Sequence, residues 1–272
     1  MTDAFQCRKM HCHQNSTKNK QVRQTSYKLH GHTLDNVEAS KYLGVTININ
    51  LSWDRHIDNI VGKGNKTLGF IRRNLKDCIK PVKSAANIAI ERPIAEYAST
   101  VWDPSNPKNI KSIEQVQKRA TRFVHNNYTD RTAGCVTNMV KSLKWENLED
   151  RRKSARLSML FKIQHDLIDI DRQQWLISND NRTRGKNRFY QERSNTDTYG
   201  QSFFPKTIRD WNQPPAYTTS ADTIEGFRAA IKLSTQQSSK LVGGPVPEAS
   251  KIGLGLVKIP KLEVRLACAF FV

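Results

Sequence analysis

A chain of 272 residues with 37% hydrophobic content has room for one large domain or two small ones, and for a modest core. Its 44 Lys and Arg against 25 Asp and Glu leave a formal charge of +19. That excess points to a polyanionic partner; the competing reading is a basic surface that is merely solvated. The five cysteines are scattered and odd in number, so no disulfide framework follows from them, and a reducing compartment is the better reading. Met1–Lys20 has no apolar signal core, and runs such as Leu266–Val272 are too short to span a bilayer. The expectation is an intracellular protein of nucleus or cytoplasm, with no membrane partner.

Residues 1–26 carry little pattern. Cys7, His11, Cys12 and His13 are the right ligand types for zinc. Their spacing is not a usual zinc-knuckle pattern and no second pair follows, so surface thiols and imidazoles are the reading. Tyr27–Leu34 predicts a hairpin turning at Gly31-His32. Asp35–Lys41 reads as a polar connection. Tyr42–Ile49 then alternates Leu43, Val45, Ile47 and Ile49, the period of a strand with one buried face.

From Asp54 the period becomes helical. Ile57, Ile60, Val61, Leu68, Ile71 and Leu75 form one stripe, with Ser52 as N-cap and Asp54 at the positive end of the dipole. Gly62, Gly64 and Gly69 weaken this helix, and close approach of another backbone would excuse a glycine there. A second helix is predicted from Pro81 through Ile90, ended or kinked by Pro93 near Glu91 or Arg92. A third follows Pro107, with Ile110, Ile113, Val116, Ala120, Phe123 and Val124 inward and Lys108, Lys111, Lys118, Arg119 and Arg122 on its other side. Val136–Leu143, Glu146 to about Ile168 and Thr223–Lys232 are further predicted helices. The longest of these buries Leu148, Ala155, Met159 and Ile163. Residues 169–200 are a basic, aperiodic loop. Trp53, Tyr97 and Trp102 read as packing at helix ends rather than base stacking, and Trp145, Phe203, Phe204 and Trp211 as core.

Several phrases stand in a fixed order. They are Tyr42-Leu43-Gly44-Val45-Thr46-Ile47, Leu51-Ser52-Trp53, Lys66 to Leu75, Arg92-Pro93 to Asp103-Pro104, Val116-Gln117-Lys118-Arg119-Ala120, Leu143-Lys144-Trp145-Glu146-Asn147-Leu148, Arg151-Arg152 and Ser202 to Asn212. In order and spacing, this set resembles the region just after the catalytic palm in reverse transcriptases of non-LTR retrotransposons of the jockey or chicken-repeat type. The resemblance covers roughly residues 5–232. The chain departs from that pattern at Gly62 and Gly64, where better helix formers are usual. It departs again at Glu91, where an apolar residue is usual, and at Pro214, where leucine is expected.

The resemblance implies a mainly α fold. Residues 1–50 would be a β-rich hairpin and strand remnant of the distal palm. Residues 51–130 would be a helical thumb and 131–235 a helical C-terminal region. Residues 236–272 match nothing in the family and read as a poorly ordered tail. Tyr42, Leu43, Gly44 and Val45 would correspond to the turn that grips the primer terminus. Lys63, Lys66, Arg72 and Arg73 on the first thumb helix, with Lys111, Lys118 and Arg122 on the third, would hold the backbone of an RNA or RNA–DNA duplex. That task needs cations aimed at phosphates rather than base readers. The intact family enzyme holds Mg2+ on palm carboxylates that include an Asp-Asp turn. This chain has no Asp-Asp pair, so it is expected to carry no catalytic residue, no metal and no small-molecule substrate, and to be inactive alone as an RNA-directed DNA polymerase. Neither Gly-x-Ser-x-Gly nor a phosphate-binding glycine loop offers other chemistry. The alternatives are a non-catalytic basic helical RNA- or DNA-binding protein derived from a mobile element, and a decayed copy without selected function.

Overall fold

Two small antiparallel hairpins precede a series of helices in a computed structural model that describes residues 28–29, 31–33, 37–178, 188–214, 216–219 and 221–240. The cysteine–histidine cluster at Cys7–His13, the middle of the basic loop and residues 241–272 lie outside the described residues. The described chain is mainly helical, as the sequence predicts. It divides into two compact units. Described residues up to Tyr97, with Pro104–Lys144, form the first. Ala98–Asp103, with the residues from Trp145 onward, form the second.

In the first unit, β1 (Lys28–Leu29) pairs with β2 (His32–Thr33) as a hairpin, but His32 stands in the strand opposite Leu29 and not in the turn where the sequence placed it. β3 (Ala39–Tyr42) pairs with β4 (Val45–Asn48), Tyr42 opposite Val45. This corrects the reading of Tyr42–Ile49 as one strand. The chain reverses at Leu43-Gly44, where both residues have positive φ (44° and 88°), the backbone of a two-residue hairpin loop. Leucine is not a turn residue, so alternation ran through the turn unseen.

Helix α1 (Asp54–Asn74) follows the stripe closely, burying Ile57, Ile60, Leu68 and Ile71. Ser52 does not cap it. Trp53 takes that position, while Ser52 Oγ accepts from Asn48 Nδ2 at 3.0 Å. Helix α2 (Lys80–Ala86) starts with Pro81 in its first turn. Pro93 does not end the helical path. A π turn at Asn87–Glu91 leads directly into α3 (Arg92–Glu96), and Arg92 N–H bonds to Asn87 O, five residues back. Widening the turn accommodates a residue that lacks an N–H and crowds the preceding turn. The apolar pattern is also inverted here: Val82, Ile88 and Ile90 are exposed, and Lys83 and Asn87 are buried. Helices α5 (Pro107–His125) and α6 (Cys135–Ser142) complete the unit.

Helices α1 and α5 run side by side in the same direction. Asn109 Nδ2 donates to Asp54 Oδ1 at 2.7 Å near their starts, and Arg119 Nη1 donates to Asn65 Oδ1 at 2.7 Å further along. Between these bonds, a methyl group added at Gly64 would lie 3.1 Å from Val116 Cγ1 and 3.5 Å from Glu91 Oε1. Close approach therefore accounts for Gly64. It does not account for Gly62, where added carbon meets nothing within 4 Å. Gly62→Ala should stabilise the chain by about 1 kcal/mol, whereas Gly64→Ala should give no such gain or destabilise it. Urea denaturation of the two variants checks this; equal gains would contradict the packing.

The second unit is built on α7 (Leu148–Gln164), which is buried nearly all round. Against it pack the short α4 (Ser99–Trp102), α9 (Phe203–Trp211) and α11 (Ile224–Lys240). The remaining helices, α8 (Asp197–Gly200) and α10 (Ala216–Thr219), are single turns. Phe161 stacks on Phe227 with centroids 4.6 Å apart, Trp211 lies 5.1 Å from Phe227, and Phe189 lies 5.8 Å from Trp211. Asn212 clamps the backbone of Phe189, donating to its O at 2.8 Å and accepting from its N at 3.1 Å. The Trp211-Asn212 phrase is thus half core and half clamp.

Candidate nucleic-acid interface

A straight helix turns about 100° per residue, so seven residues bring a side chain back to within about 20° and nine carry it to the opposite side. Lys66 and Arg73 therefore share the line of α1 opposite its buried stripe, and both are exposed. Lys111 and Lys118 share the corresponding line of α5, also exposed. The Arg119–Asn65 bond joins the facing flanks of these two helices, so the two lines lie on one continuous outer face. Among the described residues, none of these four cations has an ion-pair partner.

Of the other three predicted cations, Lys63 and Arg72 stand off these lines, and Arg122 shares the line of Lys111 and Lys118 but is engaged by the chain itself. Lys63 lies on the opposite flank of α1 from Arg72. It lines a cavity of about 480 Å³ beside the β3–β4 turn, with Lys41 and His56. Arg72 places its guanidinium over the Tyr128 ring, 5.0 Å from the centroid. Arg122 Nη1 donates to Asp130 O at 2.9 Å and Asn127 O at 3.3 Å, so it fastens the loop after α5 instead of facing outward.

The turn read as primer-grip-like is held by Tyr97. Its hydroxyl donates to Leu43 O at 3.0 Å, and a carbon added at Gly44 would lie 3.2 Å from Tyr97 Cε1. The turn fixes glycine at that position twice, by φ and by space. Val45 is fully buried as the anchor, while Tyr42 and Leu43 are each 47% exposed at the tip. A left-handed leucine costs on the order of 1–2 kcal/mol. Here that cost holds two large apolar side chains out in solvent. Of the aromatic residues weighed between packing and stacking, Trp102 is fully buried, Trp53 is half-buried and Tyr97 is 40% exposed.

Two buried titratable groups flank the α1 scaffold. Burial, reinforced by Lys63, lowers the His56 pKa to about 4, and its Nδ1 accepts from Thr46 N at 3.2 Å. Burial raises the Glu91 pKa to about 7, with Arg92 pulling it down and Glu96 pushing it up. Glu91 is 5% exposed, and its Oε1, facing Gly64, has no hydrogen-bond partner among the described residues.

In the second unit, phrases far apart in sequence meet at one carboxylate. Asp103 accepts from Arg152 Nε at 2.9 Å, Arg156 Nε at 2.8 Å and Lys206 Nζ at 2.8 Å. Arg156 reaches on to Asp210 at 2.8 Å and Thr207 Oγ1 at 3.3 Å. Burial alone would push Asp103 upward, but Arg156, Lys206 and Arg152 pull its pKa below the ordinary value. Lys206 is lowered as well, by burial first and then by Arg156 against the upward pull of Asp103. Two buried arginines and a partly buried lysine face Asp103 and Asp210. Asp103, Arg152, Arg156, Lys206 and Asp210 thus form a structural node. Sequence reasoning missed it because the carboxylate that Arg152 and Arg156 share lies about fifty positions earlier in the chain.

Among the described residues no three His, Cys, Asp or Glu side chains are grouped to hold a metal ion, and no helix is long and apolar enough to cross a membrane. No family model matches the chain, and no curated protein or solved structure is detectably similar to it.

Proposed function

We propose that this chain is the template–primer-holding part of a reverse transcriptase of the non-LTR retrotransposon type, binding the backbone of an RNA or RNA–DNA duplex without performing phosphoryl transfer. The observation that carries the reading is the outer face of α1 and α5, where Lys66, Arg73, Lys111 and Lys118 stand exposed and unpaired among the described residues. Parallel lines of cations on two packed helices suit phosphates, which position a duplex without reading its bases. The strained, apolar β3–β4 tip supports the same reading, because a backbone conformation that costs energy persists where it presents something. The +19 charge supplies the long-range attraction.

The chain should bind RNA–DNA duplex of unrelated sequences with similar affinity and lose binding steeply as salt rises. Titration of labelled duplex at two salt concentrations checks this. Affinity indifferent to salt, or no binding at low salt, rejects it.

A further inference from the structure

We infer that a cavity at the C-terminal end of α1 receives one unpaired nucleotide of a nucleic-acid strand, an inference that rests on the backbone-binding reading above. The cavity measures about 690 Å³, within the range of sites that enclose a small ligand. Its chemistry is almost entirely that of a donor. Arg72, Arg73 and Lys76 line it against one carboxylate, Asp77. Asn126 adds an amide whose Oδ1 is already taken by Lys83 Nζ at 2.7 Å, leaving its N–H donors for a ligand. Lys83 itself is 1% exposed and sits 5.0 Å from the Phe123 centroid. Burying an amine is costly, and here it orients the amide that faces the cavity. Such a site selects a ligand rich in acceptors and negative charge.

The walls add a flat, stacking component. Phe123 forms an apolar wall, and Tyr128 stands 41% exposed with the Arg72 guanidinium over its ring. Tyrosine rings and guanidinium planes are the surfaces on which splayed-out bases stack. A base within a duplex is stacked on both faces, and only an unpaired one can be splayed out into a cavity, so the occupant is unpaired. Arg73 belongs both to the cavity and to the outer line with Lys66. A strand whose backbone follows that line therefore delivers its next nucleotide at the cavity, with the phosphate at Arg73 and Lys76 and the base against Tyr128.

The test uses the full chain, a blunt RNA–DNA duplex, and the same duplex with a few unpaired nucleotides at one end. The overhang should tighten binding about tenfold, the lower end of what stacking one base contributes. Tyr128→Ala should abolish that preference while leaving blunt-duplex affinity and its salt dependence unchanged, and Tyr128→Phe should retain it. Equal wild-type affinity for the two duplexes overturns the pocket and leaves the backbone interface standing. So does equal weakening of both by Tyr128→Ala in a chain whose circular dichroism is unaltered. Failure to bind either duplex at low salt overturns both. Displacement by a phosphotyrosine peptide without any overhang preference would assign the cavity to a protein partner and overturn the nucleotide.

Discussion

Asp103→Ala will unfold the second unit under conditions where the parent chain is folded. Asp103 is the shared acceptor for Arg152, Arg156 and Lys206, all within 2.9 Å. Removing it takes the shared carboxylate from Arg152, Arg156 and Lys206, and breaking a buried pair by deleting one partner costs about 3–5 kcal/mol. A domain of this size has a stability of roughly 5–15 kcal/mol, so the loss is a large share. Arg152→Met should cost much less. Arg152 is fully buried, yet its Nη1 and Nη2 have no partner among the described residues, so an apolar side chain removes an unmet desolvation penalty along with the bond to Asp103. Trp102, Trp145, Trp175 and Trp211 lie in the second unit and only Trp53 in the first, so tryptophan fluorescence during urea denaturation reports the right unit. Comparable destabilisation by both variants would contradict this charge balance. Acid should act in the same direction: because the Asp103 pKa is lowered on folding, its contribution is present above its ordinary pKa and is lost as pH falls through the folded value.

His56 and Glu91 should hide one another's pH dependence in the first unit. Folding lowers His56 from 6.5 to about 4, so between those values the unfolded chain binds the extra proton and stability rises with pH. Folding raises Glu91 from 4.5 to about 7, so between those values the folded chain holds the extra proton and stability falls with pH. The two windows overlap between about 4.5 and 6.5, and there the slopes oppose. The parent chain is expected to be nearly flat across that window. Glu91→Gln should expose the histidine, its stability falling by a few kcal/mol on acidification from about 6.5 to 4. It should also be more stable than the parent near pH 8, where the parent buries a charged, unpartnered carboxylate facing Gly64. His56→Gln should expose the carboxylate and lose stability as pH rises from about 4.5 to 7. Amide hydrogen exchange of α1 and α5 at several pH values reads both. A flat profile in Glu91→Gln would show that His56 does not titrate as its burial demands.

What was legible in the sequence follows from how local each signal is. The stripes of α1 and α5 come through because their apolar residues repeat at 3.6 and their charges stay outside. Helix α7 gives no such stripe. It is buried on nearly every side, and two of its inward residues are arginines whose partner, Asp103, lies about fifty positions earlier. No window along the chain contains both halves of that contact. The β3–β4 turn was hidden because Leu43 keeps the alternation of its neighbours while adopting a conformation usual for glycine or asparagine. The burial of Lys83 depends on Asn126 and Phe123, again far along the chain, while Asn87 Nδ2 donates back to Lys83 O. At the candidate interface, residue type was informative but counting was not. Seven cations were named; the helix angle sets Lys63 and Arg72 apart from the four that share a face, and Arg122, on the line of Lys111 and Lys118, is set apart by its bonds to Asp130 O and Asn127 O. Glu91, Gly62 and Gly64, three of the four departures read against the resembled pattern, divide similarly. Gly64 and Glu91 face one another at a crossing, and Gly62 faces open space.

The central claim is that the shared face of α1 and α5 holds a nucleic-acid backbone. The most direct measurement is the slope of log affinity against log salt for RNA–DNA duplex binding. It compares the parent with a chain in which Lys66, Arg73, Lys111 and Lys118 are alanine, and with a control of equal charge in which the exposed Lys141, Lys144, Arg188 and Arg193 are alanine. Each phosphate contact contributes roughly 0.7–0.9 to the slope, so the first variant should lose about three while the control stays near the parent. Equal slopes for the two variants would show that net charge alone attracts the duplex, and would contradict an interface on that face.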